Sequence, residues 1–363
     1  MKPGIQFQEN IRKNSSEEEI SMAGFEYLEL PYEMVEEYET WGEREREQLK
    51  VSGILLKGNE LDEDTLFDAL MKGKALNISY LLIQTFGMSD HRVLSEVIEN
   101  CLELITDKEI TVLLENSCRE DELGRFLCNS FSDSAELKKM AEDYNTICGK
   151  GLFGTALNVG QANLTGKNLR VMAEEFGETL KLVHMNDNAG IHDEKQMPFT
   201  FTKGRGTRTT DWFRLAGTLV RMKFEGFLMF DTDGLFEQAP PCLYPSFYAL
   251  MKRIAEDFEA QMHLEEKLNQ PDKKLILFGT GAMAYNYMCE WAWKYPPAFF
   301  VDNNSSLWGK ECYGVPVKSP EAIMEIPESE RNIWICNRYY KQIGAQLENM
   351  GVRYNCYNDN YYM

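Results

Sequence analysis

Short apolar runs alternate with longer amphipathic stretches almost from the first residue of this chain. The runs predict strands buried on both faces, and the stretches, whose apolar positions return every three or four residues, predict helices with one packed face. In order the runs are Ile5 to Glu9, Phe25 to Leu30, Leu49 to Leu56, Ile78 to Phe86, Ile110 to Glu115, Phe153 to Asn158, Leu180 to Val183 and Gly226 to Asp231. Helices are expected at about Asp62 to Lys74, Asp90 to Leu104, up to Cys148, and from a cap at Asp211. Ser15 or Ser16, with Glu18 or Glu19 three residues on, reads as a capping box, and a stripe of Phe247, Leu250, Ile254 and Phe258 marks a last helix ending near Leu268. Eight strand-helix units in residues 1–268 predict a (β/α)8 TIM barrel. An open doubly wound sheet is the alternative, but no glycine-rich phosphate turn follows any of these eight strands.

A polar, proline-containing break at Asn269 to Lys273 separates the barrel from a second pattern over residues 272–363. Lys274 to Phe278 is a strand running into Gly279-Thr-Gly281-Ala-Met-Ala284, a helix follows to about Lys294, and the next strand, Ala298 to Val301, ends at Asp302. Strand, G-x-G-x-x-A, helix, strand and acid form the nucleotide-binding fingerprint in its expected order, so Gly279, Gly281 and Asp302 are candidate nucleotide contacts. With further strands at Ile333 to Cys336 and Val352 to Cys356 this is a small Rossmann-like α/β domain, half of a dinucleotide fold. A mononucleotide or nucleotide sugar suits it better than NAD; alternatively the glycines only shape a tight turn.

A net charge of -20 argues against nucleic acid, which needs a positive surface to displace counterions. The nine cysteines include no C-x-x-C pair and fit reduced thiols in a cytoplasmic protein. The N-terminal segment lacks the apolar core of a signal peptide, and no run is long enough for a membrane span, so no membrane partner is expected.

The chemistry gathers at the strand ends. Glu115 follows the fifth strand, Asn158 and Gln161 the sixth, His184 and Asp187 the seventh, and Asp231 the eighth, all on the face where barrel enzymes place their reactions. Two carboxylates and an imidazole from separate strands could hold a divalent metal, with Asn158 adding an amide oxygen. The bland alternative is a set of strands ending in polar loops, with His184 satisfying local hydrogen bonds. Lys57 after the third strand, and Lys203, Arg205 and Arg208 in a glycine-bearing loop, could clamp an anionic group or form a solvated basic surface. Phe7, Phe86 and Trp212 could wall a sugar ring or simply pack.

The segments GFEYLEL (24–30), VLLENS (112–117), LNVGQANLTG (157–166), LVHMNDN (182–188), GRGTRTTDW (204–212) and EGFLMFD (225–231) together resemble the xylose-isomerase-like barrel superfamily of sugar phosphate isomerases and epimerases. The resemblance implies a divalent metal (manganese, zinc, cobalt or magnesium) on Glu115, Asn158, His184 and Asp231, with Glu115 and Asp231 moving protons on either face of a sugar. Gln161 and Asp187 at the same strand ends, with Lys57 and Arg205 near that face, are the candidate substrate contacts. Departures are plain: Asn158 stands for an Asp, Gln161 for a His and Asp231 for a Glu, and the nearest match to a D-x-H pattern is Asp193-Glu194-Lys195. FGTGAMA (278–284), FVDNNSSLWGK (300–310) and YGVPVKSPEAI (313–323) resemble the Rossmann-like modules of bacterial enzymes that modify sugars for surface polysaccharides. Two functions are expected: a sugar or sugar-phosphate isomerase or epimerase, with a DNA-repair nuclease disfavoured by the charge, or a non-catalytic sugar-binding protein on a degenerate barrel.

Overall fold

The eight apolar runs fold as eight parallel strands closed into a barrel. They are β1 (Lys2–Gln6), β2 (Tyr27–Pro31), β3 (Lys50–Lys57), β4 (Tyr80–Gln84), β5 (Thr111–Glu115), β6 (Phe153–Asn158), β7 (Leu180–Met185) and β8 (Phe227–Phe230). Each strand lies beside its neighbours in sequence, and β8 closes on β1 with Ile5 opposite Phe230. The computed structural model describes residues 1–14, 17–88, 91–201 and 209–357; the expected cap at Ser15 or Ser16 lies outside the described residues, as does Asp90.

Side chains alternate across a strand, so every second residue faces the barrel axis. Leu55, Tyr80, Leu82, Leu113, Ala156, Leu182, Phe227 and Met229 pack there as one apolar cluster, with Tyr27 against it. Gly53 on β3 makes this packing possible: a Cβ at that position would lie 2.1 Å from the Tyr80 ring.

The helices begin where local polar chemistry satisfies their free N–H groups. Asp62 accepts from Thr65 N at 2.8 Å ahead of Glu63–Leu76, and Asp211 accepts from Arg214 N at 3.0 Å ahead of Trp212–Arg221, as expected from the sequence. The stretch between β5 and Cys148 is not helical throughout. A short antiparallel pair, Arg119–Glu120 with Phe126–Leu127, comes first, and the helix is confined to Ser134–Cys148. The reason is Asp121, whose Oδ1 accepts from Leu123 N and Arg125 N, both at 2.9 Å, and so holds a turn that competes with helix. The last helix of the barrel runs over Tyr244–Met262 and resumes as Leu264–Leu268.

The chain divides into two units, Met1–Glu259 and Ala260–Met363. In the second, β9 (Lys274–Phe278), β10 (Phe299–Val301), β11 (Glu311–Cys312), β12 (Val315–Lys318), β13 (Arg331–Ile335) and β14 (Asn355–Cys356) form one sheet in the order β11-β12-β10-β9-β13-β14. All pairs are parallel except the β11–β12 hairpin. Both faces are covered. Leu275 and Leu277 pack with Leu264, Leu268 and Trp334 on one side, while Ile276 and Phe278 pack with Ile323, Ile343 and Leu347 on the other. All nine cysteines are unpaired, and among the described residues no helix is long and apolar enough to cross a membrane.

Candidate active site

One step above the apolar layer, the inward positions change character. Tyr27 is followed two residues on by Glu29, Leu113 by Glu115, Ala156 by Asn158, Leu182 by His184 and Met229 by Asp231. The pleat therefore stacks a polar layer on an apolar one at the carboxyl ends of the strands. Glu29, Glu115, His184 and Asp231 are all 0% exposed. Charges removed from water this completely persist only when paired and hydrogen-bonded.

His184 lies between two carboxylates. Its Nδ1 is 2.5 Å from Glu115 Oε1 and its Nε2 is 2.8 Å from Glu29 Oε1. Both ring nitrogens can donate only in the imidazolium form. Burial alone would disfavour that form, but Glu29 and Glu115 outweigh it and hold the imidazole proton well above the usual histidine range. Glu29 is fixed in turn by Gln6 Nε2 at 3.0 Å and by the Tyr80 hydroxyl at 2.8 Å.

From Glu115 a relay of amides leads to Asp231. Asn158 Nδ2 donates to Glu115 Oε1 at 3.1 Å, Asn186 Nδ2 to Asn158 Oδ1 at 3.3 Å, and the same Asn186 nitrogen to Asp231 Oδ2 at 2.9 Å. Asn186 is oriented by Gly160 N, which donates to its Oδ1 at 2.6 Å. Only glycine permits this approach, since a Cβ on Gly160 would sit 2.1 Å from that oxygen. Asp231 Oδ1 accepts from Gln8 Nε2 at 2.6 Å and from Lys195 Nζ at 3.1 Å. Burial would raise the Asp231 carboxyl, but Lys195 and His184 prevail and keep it below the ordinary carboxylate range.

Lys195 reaches the layer from the loop after β7. Backbone hydrogen bonds between Asp187 and Gln196 (2.8 and 2.9 Å) pin that loop, and Lys195 takes a left-handed conformation, φ 44°, that is uncommon for a side chain of its size. Burial opposes its charge, yet Asp231 and Asp193 keep the ammonium protonated beyond its usual range. Beside it Gln161 Nε2 donates to Asp193 Oδ2 at 3.1 Å, while Gln161 Oε1 accepts from Cys118 N at 3.3 Å. Burial, partly offset by Lys195 and reinforced by Asp231 and Glu115, pushes the Asp193 carboxyl up to about 6.

Of the residues expected at a site, Glu115, Asn158 and His184 thus meet directly, Asp231 joins them through Asn186, and Gln161 joins through Asn158, whose Oδ1 accepts from Gln161 N at 3.1 Å. Asp187 does not face this network. Its carboxylate accepts from Asn188 N at 3.0 Å and Phe201 N at 3.3 Å and so ties down the loop. Lys57 pairs with Glu33 at 2.5 Å on the surface. Arg205, with Lys203 and Arg208, lies outside the described residues. Sequence reasoning did not single out Gln6, Gln8, Glu29, Tyr80 or Lys195 as site residues. Glu29 had a signal, because in FEYLEL it shares the inward parity of Tyr27.

No family model matches the sequence, and no curated protein matches it. Solved structures do match. A 3-keto-D-glucoside 4-epimerase from E. coli, in its apo form, superposes with a TM-score of 0.51 at 16% identity, covering 70% of this chain and 99% of that one. A xylose isomerase domain protein from Alicyclobacillus acidocaldarius subsp. acidocaldarius superposes with a TM-score of 0.50, also at 16% identity, covering 72% and 99%. What the chain shares with these two structures is the barrel fold. Likeness of this degree speaks for the fold, and the chemistry rests on the side chains.

Those side chains do not fit the divalent metal that the resemblance implied on Glu115, Asn158, His184 and Asp231. A ligating imidazole needs a lone pair, and both nitrogens of His184 face carboxylates. The oxygens of Asp231 are engaged by Gln8, Lys195 and Asn186, and the amide oxygen of Asn158 by Gln161 and Asn186. Among the described residues no group of three or more His, Cys, Asp and Glu is arranged to hold a metal ion.

In the second unit, Gly279 and Asp302 line a cleft of about 250 Å³ together with Asn303, Asn337 and Gln346. Gly281 precedes the helix Ala282–Glu290 as its N-cap. The Asp302 carboxylate is held by the Thr280 hydroxyl (2.9 Å) and by Asn304 N (2.9 Å).

Proposed function

We propose that the chain is a sugar or sugar-phosphate isomerase or epimerase that moves a proton at a carbon next to a carbonyl. The observation that carries this reading is Glu115: its Oε1 is held by His184 and Asn158, while Oε2, equally buried, has no hydrogen-bond partner among the described residues. A fixed carboxylate with one uncommitted oxygen suits a general base, which must be oriented and yet free to accept. Glu115 removes the proton and releases it to solvent. Asp231, linked through Asn158 and Asn186, is the second carboxylate; ionised at rest, it takes a proton from solvent before giving it to the other face or the neighbouring carbon. Both ring nitrogens of His184 are engaged by carboxylates, so it is the half-buried Lys195 that keeps N–H donors for the oxygen on which negative charge builds. The test is solvent deuterium incorporation into a panel of ketoses, aldoses and their phosphates, followed by NMR. Exchange is expected in the wild-type chain and should fall by a factor of about 1,000 or more in Glu115→Gln, in line with loss of an essential base. Exchange at an unchanged rate in that variant removes Glu115 from the mechanism.

A second reading, a non-catalytic sugar-binding barrel, is favoured by one observation: both oxygens of Asp231 are engaged internally. Saturable sugar binding without deuterium exchange would select it. For the second unit we propose a Rossmann-like role in which the cleft at Gly279 and Asp302 takes a nucleotide. Binding of a labelled nucleotide sugar, lost in Gly281→Val, supports that role, and equal binding by the variant refutes it.

A further inference from the structure

The polar layer at the barrel mouth is an unusual concentration of buried charge. Glu29, Glu115 and Asp231 are each fully enclosed, and Asp193 adjoins them. An enclosed carboxylate costs several kcal/mol unless an opposite charge lies against it. In many proteins such a cluster is neutralised by a divalent cation, which attracts hard oxygen ligands. Here each carboxylate already meets a cation from the chain itself or shares one. The His184 imidazolium bridges Glu29 and Glu115, and the Lys195 ammonium contacts Asp231 at 3.1 Å while also attracted to Asp193 and Glu115. The backbone accepts a strained left-handed conformation at Lys195, φ 44°, to carry that ammonium inward.

We infer that the ammonium of Lys195, held against Asp231, fills the electrostatic place of a divalent cation in this barrel, so that the centre binds no metal. Three features converge on it: both ring nitrogens of His184 lie against carboxylates, both oxygens of Asp231 are engaged, and the Lys195 ammonium lies 3.1 Å from Asp231. The inference concerns the resting charge of the site and does not depend on the reaction proposed above.

The full chain, expressed and purified with manganese, zinc, cobalt and magnesium present, is dialysed and its metal content measured by elemental analysis. Melting is then recorded with and without manganese. The wild-type chain is expected to retain well under one equivalent and to melt at the same temperature in both buffers. Lys195→Gln removes the built-in cation and leaves Asp231, with Asp193 beside it, without that counter-charge. It should take up close to one manganese ion per chain and melt about 5 °C or more higher with the ion than without, as linkage to a bound ligand requires. Lys195→Arg keeps the charge and should behave as the wild type. If Lys195→Gln is poorly recovered, manganese in the medium should restore it. Stoichiometric metal in the wild-type chain, or a Lys195→Gln chain that neither gains metal nor is restored by it, overturns the inference, whatever the sugar assay shows.

Discussion

Single side chains set the behaviour of this site through what they are denied as much as through what they touch. Asp193 illustrates it. One carboxylate oxygen accepts from Gln161 Nε2 and the other, though buried, has no partner among the described residues; burial leaves the ionised form under-solvated and the pKa rises to about 6. An unfolded Asp titrates near 3.9, so the folded chain holds this proton more tightly. The resulting stabilisation is fully present below about pH 4 and is lost as the pH climbs through about 6, a change of at most about 3 kcal/mol. Asp193→Asn cannot ionise and keeps an amide oxygen for Gln161. Its melting temperature relative to the wild type should therefore increase between pH 5 and 7 and then level off. A difference that stays flat over this range, measured by thermal denaturation in matched buffers, would show that the Asp193 carboxyl titrates as an ordinary solvated acid.

Elements matter because strand parity decides which residues meet. Gly53 on β3 faces the Tyr80 ring, and the Tyr80 hydroxyl holds Glu29 Oε2 at 2.8 Å, so the absence of one side chain on one strand positions a carboxylate on another. Gly53→Ala forces the ring aside and should cost about 1–3 kcal/mol in chemical denaturation, the range for overpacked cores. In a Tyr80→Leu background the same substitution should cost clearly less, because the clash is with the ring; equal costs in the two backgrounds would place the strain elsewhere. The same parity explains what could be read beforehand. Leu182 and His184, Leu113 and Glu115, Ala156 and Asn158, and Met229 and Asp231 are inward pairs whose upper members fall at strand ends, where the change from apolar to polar is visible in the sequence. Glu29 follows the same rule but lies within its apolar run, followed by Leu30 and Pro31, and so lacked that punctuation. Lys195 was beyond such reading, because its place depends on the pairing of Asp187 with Gln196, which no periodicity announces. Lys57 shares the inward parity of Leu55, yet its long side chain turns out to Glu33. The hairpin before Ser134 escaped notice for a similar reason: one aspartate side chain, Asp121, overrides the helical pattern.

At the scale of the whole molecule the chain carries two sets of cores, and their separation makes a prediction of its own. The barrel axis is filled by residues from β3 to β8, whereas the second unit closes its own layers around Leu277, Tyr287 and Trp334 on one face and Ile276, Ile333 and Leu347 on the other. Trp334 is 2% exposed and its indole N–H is satisfied by Asn332 Oδ1 at 2.9 Å, so truncation removes a large buried surface and strands an acceptor. Trp334→Ala should therefore destabilise the second unit by about 3–5 kcal/mol. Since each unit buries its apolar residues within its own stretch of chain, the loss should be local. Hydrogen exchange read by mass spectrometry resolves the two. Peptides spanning Lys274 to Phe278 and Arg331 to Ile335 should exchange faster in the variant, while those spanning Phe153 to Asn158 and Leu180 to Met185 keep wild-type protection. Equal acceleration in both sets would mean that the two cores open as one cooperative body, and a change made at Trp334 would then reach Glu115 and Lys195 as well.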